Sequence, residues 1–222
     1  MVYKVGQKVK VFLDSFILAL LIFLIAFSIG FYVEYYRTDK IIDSYSQNEI
    51  DSLDLRLQNY YYQIMDSETC DSAIEQNFIF ADELYDTGLE ISKFENSNEL
   101  TDDLIFEKQK YVLLKTELWL NSVLLKSKCG DSFDTVVYLY SQYPLGDSEV
   151  FQNEVISNIL KSVKEKKGER IVLLPIAGDI GLGIVDLQVR IYNITDLPAI
   201  IINEKTILYG LHNESEIEAY LR

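Results

Sequence analysis

The chain has 222 residues and a formal net charge of -15. Residues 1–40 hold five basic and three acidic side chains, so the rest of the chain carries a net charge of -17. A segment this acidic repels phosphate backbones and has no basic cluster for anionic lipid headgroups, so nucleic acid is excluded as an expected partner.

An uncharged stretch of 19 residues runs from Ser15 to Val33. As a helix it would be roughly 28 Å long, close to the hydrocarbon thickness of a bilayer. Aromatic residues follow its far end, as is typical of the headgroup boundary. We therefore expect residues 15–33 to anchor the chain in a membrane, and residues 1–37 to form a short tip with this anchor.

The charges around the stretch predict its direction. Three lysines precede it, whereas the two basic residues that follow it are offset by two acidic ones. This bias predicts a single-pass protein with a cytoplasmic N-terminus and an extracytoplasmic C-terminal part. A cleaved signal peptide, with Ala26-Phe27-Ser28 as the cleavage site, is the alternative, and it exports the rest of the chain as well.

Residues 38–128 are predicted to be a helical stalk or hairpin region. Apolar residues recur at helical spacing in its first part, although Leu53, Leu55 and Leu57 also alternate as in a strand. Two further helices are expected, from about Asp71 to Phe94 and from about Leu100 to Ser127. A turn at Asn96-Ser97-Asn98 would separate them, and Thr101 would cap the later helix.

Residues 129–222 are predicted to form an α/β sandwich. A helical crossover between the first two strands implies that they are parallel, and the tight Glu204-Lys205 connection implies an antiparallel hairpin. The expected elements are a strand at Phe133–Tyr140, a helix at Val150–Val163, a strand at Ile171–Ile176, a helix at Leu182–Tyr192, strands at Ala199–Asn203 and Thr206–Tyr209, and a helix at Glu214–Leu221.

Two stretches of this segment carry a family resemblance. In residues 192–203 a short helix leads to Pro198, which opens the apolar strand Ala199-Ile200-Ile201-Ile202. The second stretch is residues 205–210, which complete a hairpin and end in a glycine, followed by an acidic helix. Together they resemble the thioredoxin-like superfamily over about residues 131–222. The resemblance implies a cis peptide bond before Pro198, and an edge position for the second strand, where Pro175 is tolerated.

The sequence departs from that family where its redox-active members carry Cys-x-x-Cys. The corresponding residues 141–147 contain no cysteine, and without a thiol this position cannot exchange disulfides. The resemblance then implies polypeptide binding near the cis proline, along Leu197 and Pro198 and the loop residues Tyr143, Pro144 and Leu145. We expect a binding or scaffolding protein whose partner is another polypeptide or a membrane protein.

The only two cysteines are Cys70 and Cys129. Each lies at a predicted helix end, and a hairpin of two helices would bring these ends together. A structural disulfide is favoured because an exported location is oxidising. Two free buried thiols, or a redox pair, remain alternatives. The redox pair would make the chain an exported thiol-disulfide oxidoreductase that uses Cys70 and Cys129.

The remaining motifs predict little chemistry. The acidic clusters lack the spacing of a calcium loop, and the glycine-containing residues 178–183 lack the phosphate-loop lysine, so no metal site and no cofactor are expected. Asn193 and Asn213 each begin an Asn-x-Ser/Thr triplet, the acceptor pattern for glycosylation.

Overall fold

The structure is a computed structural model that describes residues 2–65, 67–95 and 102–222. The chain divides into two compact units, Met1–Gln47 and Asn48–Arg222. The first unit consists of the N-terminal part of helix α1 (Val2–Ile64), and the second contains the end of α1 and all later elements. The sequence predicted the anchor and the first stalk helix as separate elements, and the structure has one helix through both.

The span Ser15–Val33 of α1 is long and apolar enough to cross a membrane, and its side chains are not buried within the chain. Within this span the hydroxyl group of Ser28 is satisfied by its own helix, because Ser28 Oγ donates to the Leu24 carbonyl at 2.8 Å. A polar side chain satisfied in this way costs less inside a bilayer than one without a partner. Among the described residues, this is the one helix that meets the length and composition of a membrane span.

Two long helices follow α1, and both were predicted. Helix α2 spans Cys70–Glu95 and helix α3 spans Asp102–Cys129, within two residues of the expected ends. The segment around Leu55 is helical, so the strand-like alternation there was misleading. The expected turn at residues 96–98 and the cap at Thr101 lie outside the described residues.

The C-terminal part contains a four-stranded sheet in the order β2-β1-β3-β4. Strands β1 and β2 are parallel, and β3 is antiparallel to both β1 and β4. The predicted directions are thus confirmed, as is the edge position of the strand that contains Pro175. The strands are β1 (Asp134–Tyr140), β2 (Ile171–Ala177), β3 (Ala199–Ile202) and β4 (Thr206–Tyr209).

Helices α4 (Asp147–Lys167), α5 (Gly183–Ile191) and α6 (Glu214–Glu218) complete this part. Helix α4 is longer than predicted at both ends, and α6 ends three residues before the predicted Leu221. Asn213 caps α6 in a reciprocal pair with Glu216, which stabilises a short helix at its first turn. The chain end is then held by the backbone N–H of Arg222, which donates to Asp134 Oδ2 at 2.8 Å.

The two faces of the sheet are covered by different helices, which gives a three-layer arrangement. Alternate residues of β1 point to opposite faces: Val137 and Leu139 pack with α2, α3 and α5, and Val136 and Tyr138 pack with α4 and α6. The first core also includes Leu55 and the end of α1. The sequence did not predict that the helical region and the sheet share one core, and the expected domain boundary at residue 129 stays a prediction.

Helices α2 and α3 pack against β2, the strand at one edge of the sheet. Lys115 on α3 is buried, and its ammonium group donates to the Pro175 carbonyl of β2 at 2.7 Å. The backbone of an uncovered edge strand attracts other strands. Helix α3 therefore fills the core and also provides a hydrogen bond to the backbone of this edge strand.

Candidate functional site

The strand directions bring the predicted binding residues to one end of the sheet, which we call the apex. Strands β1 and β2 end there, at Tyr140 and Ala177. Because β3 is antiparallel to β1, with Leu139 opposite Ala199, it begins at the same end. The apex therefore contains the loop of residues 141–146 after β1 and the Leu197–Pro198 bond before β3.

Carboxylates hold the backbone of the 141–146 loop. Asp179, in the loop after β2, accepts hydrogen bonds from Ser141 Oγ and from the backbone N–H of Gln142, both at 2.6 Å. Glu149 on α4 accepts from the Leu145 N–H at 2.7 Å. The Gln142 amide oxygen is buried and accepts no hydrogen bond from the described residues. The loop is thus fixed by two acidic side chains from two different segments.

The loop presents apolar side chains to solvent. Leu145 is 94% exposed and Tyr143 is 48% exposed, whereas Pro144 is half-buried. Val150 and Phe151, in the first turns of α4, are exposed as well. Large apolar side chains that contribute little to packing are typical of a surface that contacts another molecule.

Leu197 and Pro198 are less accessible than the loop. Pro198 is buried and the Leu197–Pro198 peptide bond is cis, as the sequence led us to expect. Leu197 packs on Gly178, where an added Cβ atom would lie 3.0 Å from both Leu197 methyl groups. Leu197 therefore supports the apex from within, and Tyr143 and Leu145 form its open surface.

The described loop segments of the apex carry acidic side chains and neither lysine nor arginine, whereas α3 brings the ammonium group of Lys108 to 5.6 Å from the ring of Tyr140 at the end of β1. These segments are residues 141–151, 178–186, 193–198 and 209–213, and their acidic members are Asp147, Glu149, Asp179, Asp186 and Asp196. The sole histidine, His212, contacts Glu216 Oε2 at 3.1 Å and the Tyr209 carbonyl at 3.2 Å. The loops of the apex are thus apolar and acidic, and the buried Lys108 lies beside them on α3.

The two cysteines lie at the other end of the sheet. Cys70 and Cys129 form a disulfide, with Cα atoms 5.6 Å apart. Cys129 ends α3 just before β1 begins, and Lys126, one turn earlier, contacts the turn between β3 and β4. Because a seven-residue strand such as β1 is roughly 23 Å long, the sulfur atoms are remote from the apex. Neither is in place to react there.

A buried polar network surrounds that opposite end. Lys126 donates to Thr135 Oγ1 and Asn203 Oδ1 at 3.1 and 2.8 Å, and its ammonium group is paired with Glu204. Glu204 also accepts from the Trp119 indole N–H at 3.1 Å. Each of these groups has a partner, so the network is a structural connection between α3 and the β3–β4 turn.

The other predicted residues are placed as follows. Asn193 and Asn213 are both exposed, and the side chain of Asn213 caps α6 through its oxygen. Their use as glycosylation acceptors stays a prediction. Among the described residues, no group of three His, Cys, Asp or Glu side chains could hold a metal ion.

Sequence reasoning missed two features of the apex. Val150 was placed on a packed helix, and its exposure next to Phe151 was not expected. Two apolar residues in succession gave no signal of this, because adjacent positions on a helix can both face a core, as Leu118 and Trp119 do on α3. Asp179 had no signal of its own, since its role depends on the pairing of β2 with β1.

Two shallow concavities in the described part of the chain lie on the span of α1, one of them lined by Phe27, Ser28, Phe31 and Tyr32. These are grooves between side chains of a single helix.

No protein-family model matches the sequence, and the search of curated proteins gives no match either.

Proposed function

We propose that this chain is a membrane-anchored protein that binds or scaffolds another polypeptide through a thioredoxin-like domain without redox cysteines. The sheet order and the strand directions support the resemblance. So do the positions of Pro175 at the sheet edge and of Pro198 at the start of β3. The N-terminal helix supports the anchor, and the flanking charges support an extracytoplasmic location of the domain.

The observation that carries the proposal is the composition of the apex. Its loop exposes Tyr143 and Leu145 at the position where redox-active relatives of this fold would hold their thiols. The sulfur atoms of the two cysteines are bonded to each other beyond the opposite end of β1. An apex with open apolar side chains and no nucleophile is suited to binding and not to disulfide exchange.

The charges of the apex restrict the partner. An extended segment that lies across Tyr143 and Leu145 would meet the carboxylate of Asp147 in a loop without lysine or arginine, whereas the buried Lys108 lies on the Tyr140 side of the apex. Like charges brought together at an interface lower affinity and select against the wrong partner. The bound segment therefore contains apolar side chains and few acidic ones.

The experiment measures the binding of short fluorescent peptides to the full chain in phosphatidylcholine nanodiscs. The peptides have apolar residues separated by serine, with either lysine or glutamate at their ends. We expect Leu145→Asp to weaken binding of the lysine-ended peptide at least about tenfold, because a charge in an apolar contact costs well over 1 kcal/mol. Since Leu145 is 94% exposed, the substitution leaves the folded core intact.

A matched control tests the place of binding. Leu187 on α5 is 49% exposed and lies outside the loop, so Leu187→Asp is expected to leave the affinity unchanged. Equal losses in both variants would show that the peptide binds apolar surface without a defined site. An unchanged affinity in Leu145→Asp would remove the apex as the binding site.

A further inference from the structure

The last turns of α1 carry a row of apolar side chains that the fold does not use. Leu53, Leu57, Tyr60, Tyr61 and Ile64 are 57%, 66%, 65%, 50% and 79% exposed. Apolar residues on a helix of a folded protein normally face its core. We call these five residues the Leu53–Ile64 stripe.

The inner side of the same helix segment is already occupied. Asn59 Nδ2 donates to Asn121 Oδ1 on α3, and Arg56 Nε lies 3.6 Å from Glu117 Oε1. Leu55 and Tyr62 are buried in the core shared with α2 and α3. The orientation of this segment is thereby fixed, and the stripe lies on the side away from α3. Its exposure is a consequence of how α1 packs.

The spacing of the stripe is that of a helix-pairing seam. Leu53, Leu57, Tyr60 and Ile64 are separated by four, three and four positions. This alternation keeps apolar side chains on one line along about three turns of helix, where a second helix inserts its own side chains. An extended peptide has a period of two and does not match it.

The charges near the stripe indicate the kind of helix that it accepts. Residues 41–92 contain twelve acidic residues and a single basic one, Arg56, which is paired with Glu117. From α3, Lys128 donates to the Gln63 carbonyl at 3.1 Å, beside the end of the stripe. Two copies of this surface would bring two acidic segments together, and an anionic lipid surface would be repelled in the same way. A helix bordered by lysine or arginine would instead be attracted.

We propose that the Leu53–Ile64 stripe is the docking surface for an amphipathic helix of another polypeptide, whose apolar seam is bordered by lysine and arginine. This inference does not depend on the proposed function, because the stripe and the apex are formed by different segments. Its failure would leave peptide binding at the apex untouched.

The test uses the full chain in phosphatidylcholine nanodiscs and two synthetic helical peptides. Both peptides have leucine at the seam positions, and the flanking positions are lysine in one and glutamate in the other. We expect the lysine-flanked peptide to bind saturably by fluorescence anisotropy, and the glutamate-flanked peptide to bind at least about tenfold more weakly. Added salt is expected to reduce this difference.

Substitution then assigns the surface. The double variant Leu57→Ser, Tyr60→Ser is expected to lose at least about tenfold in affinity for the lysine-flanked peptide. Its urea midpoint should match that of the parent chain, because both side chains are mostly exposed. Leu187→Ser, on α5, is the matched control and is expected to bind normally.

Three results would overturn the inference: equal binding of the two peptides, unchanged binding in the double variant, or equal binding to nanodiscs without protein. A fourth is self-association of the chain that the double variant abolishes, which would assign the stripe to a second copy. Comparing the Leu145→Asp variant in the same assay shows whether the peptide binds at the apex instead.

Discussion

The ammonium group of Lys126 lies 3.0 Å from the carboxylate of Glu204, with both side chains largely enclosed by α3, β1 and the β3–β4 turn. Because breaking a buried pair leaves an uncompensated charge, Lys126→Met is expected to lower the free energy of unfolding by about 3 kcal/mol. Urea unfolding of the chain in detergent measures this. Lys205→Met is the control: its side chain is 76% exposed and 3.9 Å from Asp131. It should change stability by less than about 0.5 kcal/mol, and equal losses would contradict the assignment.

The disulfide closes a loop with a sequence separation of 59. Loop-closure entropy predicts that replacing both Cys70 and Cys129 by serine lowers the free energy of unfolding by about 4 kcal/mol. If the bond is structural, the folded chain should also resist mild dithiol reductants. A bond that is reduced and reoxidised rapidly in the folded chain would instead support the thiol-disulfide oxidoreductase.

Gly88 on α2 is a position where alanine is expected to harm a helix. Alanine normally stabilises a helix interior by about 1 kcal/mol relative to glycine. Here its Cβ atom would collide with the hydroxyl of Tyr111, which donates to the Leu84 carbonyl at 2.7 Å. We expect Gly88→Ala to lower the free energy of unfolding by about 2 kcal/mol. Gly183→Ala, where no atom lies within 4 Å, is the control and should be neutral or stabilising.

The pH dependence of stability should include a contribution from Glu117. Burial raises the pKa of this carboxyl group above 4.5, although Arg56 and a hydrogen bond from Ser52 act in the opposite direction. Between the ordinary and the raised pKa the folded chain binds more protons than the unfolded chain. The stabilising contribution is therefore full below 4.5 and is lost as the pH rises through the folded-state pKa.

Replacing Glu117 by glutamine should remove this dependence and raise the free energy of unfolding at neutral pH by no more than about 0.5 kcal/mol, because solvent screens a partly exposed group. Urea unfolding at acidic and neutral pH measures the change. A loss of stability at neutral pH in Glu117→Gln would contradict the assignment.

The variant Asp131→Asn is expected to change the pH dependence in the opposite direction. A hydrogen bond from Arg222 lowers the pKa of Asp131 below 3.8, so the stabilising contribution of this carboxylate is present above that value and is lost on acidification.

The apolar span at residues 15–33 predicts that the chain stays with the membrane fraction. Lysine near the centre of a membrane helix costs about 3 kcal/mol, so replacing Leu21 and Leu24 by lysine should release the chain from membranes in alkaline extraction. Leu187→Lys, outside the span, should leave it in the membrane fraction. If both variants are extracted equally, residues 15–33 are not the anchor.

Protease added from the outer side of the membrane should digest the C-terminal part of the anchored chain. Protection of that part from the protease would reverse the predicted direction of the anchor.

Much of the secondary structure could be predicted because its signals are local. The uncharged run 15–33 needs no partner to be recognised, and Pro198, the run Ala199–Ile202 and the tight turn at Lys205 mark β3 and β4. The pairing of Cys70 with Cys129 was favoured by the positions of two helix ends and by the expected exported location. These features depend on composition and spacing within a few residues.

The tertiary contacts of the fold and of the apex depend on which surfaces meet, and local sequence patterns do not carry that information. The helix from about Leu100 to Ser127 was predicted from its local pattern, yet nothing in that pattern indicated that it packs against β2. Lys115 and Lys126 would be placed in solvent from sequence, but their long stems allow the ammonium groups to reach Pro175 and Glu204 inside the fold. At the apex, Asp179 and Gln142 are 37 positions apart and meet only because β1 and β2 are parallel.

The position of α3 over β2 also bears on how this protein can be divided for experiments. A fragment that begins at residue 129 would leave Val172, Leu174 and Ile176 without the helices that bury them and would remove the Lys115 hydrogen bond from the Pro175 carbonyl of β2. Such a fragment is expected to aggregate, since bare strand borders recruit one another. A secreted version for crystallisation should instead begin before Leu55, so that the end of α1 and both long helices remain with the sheet.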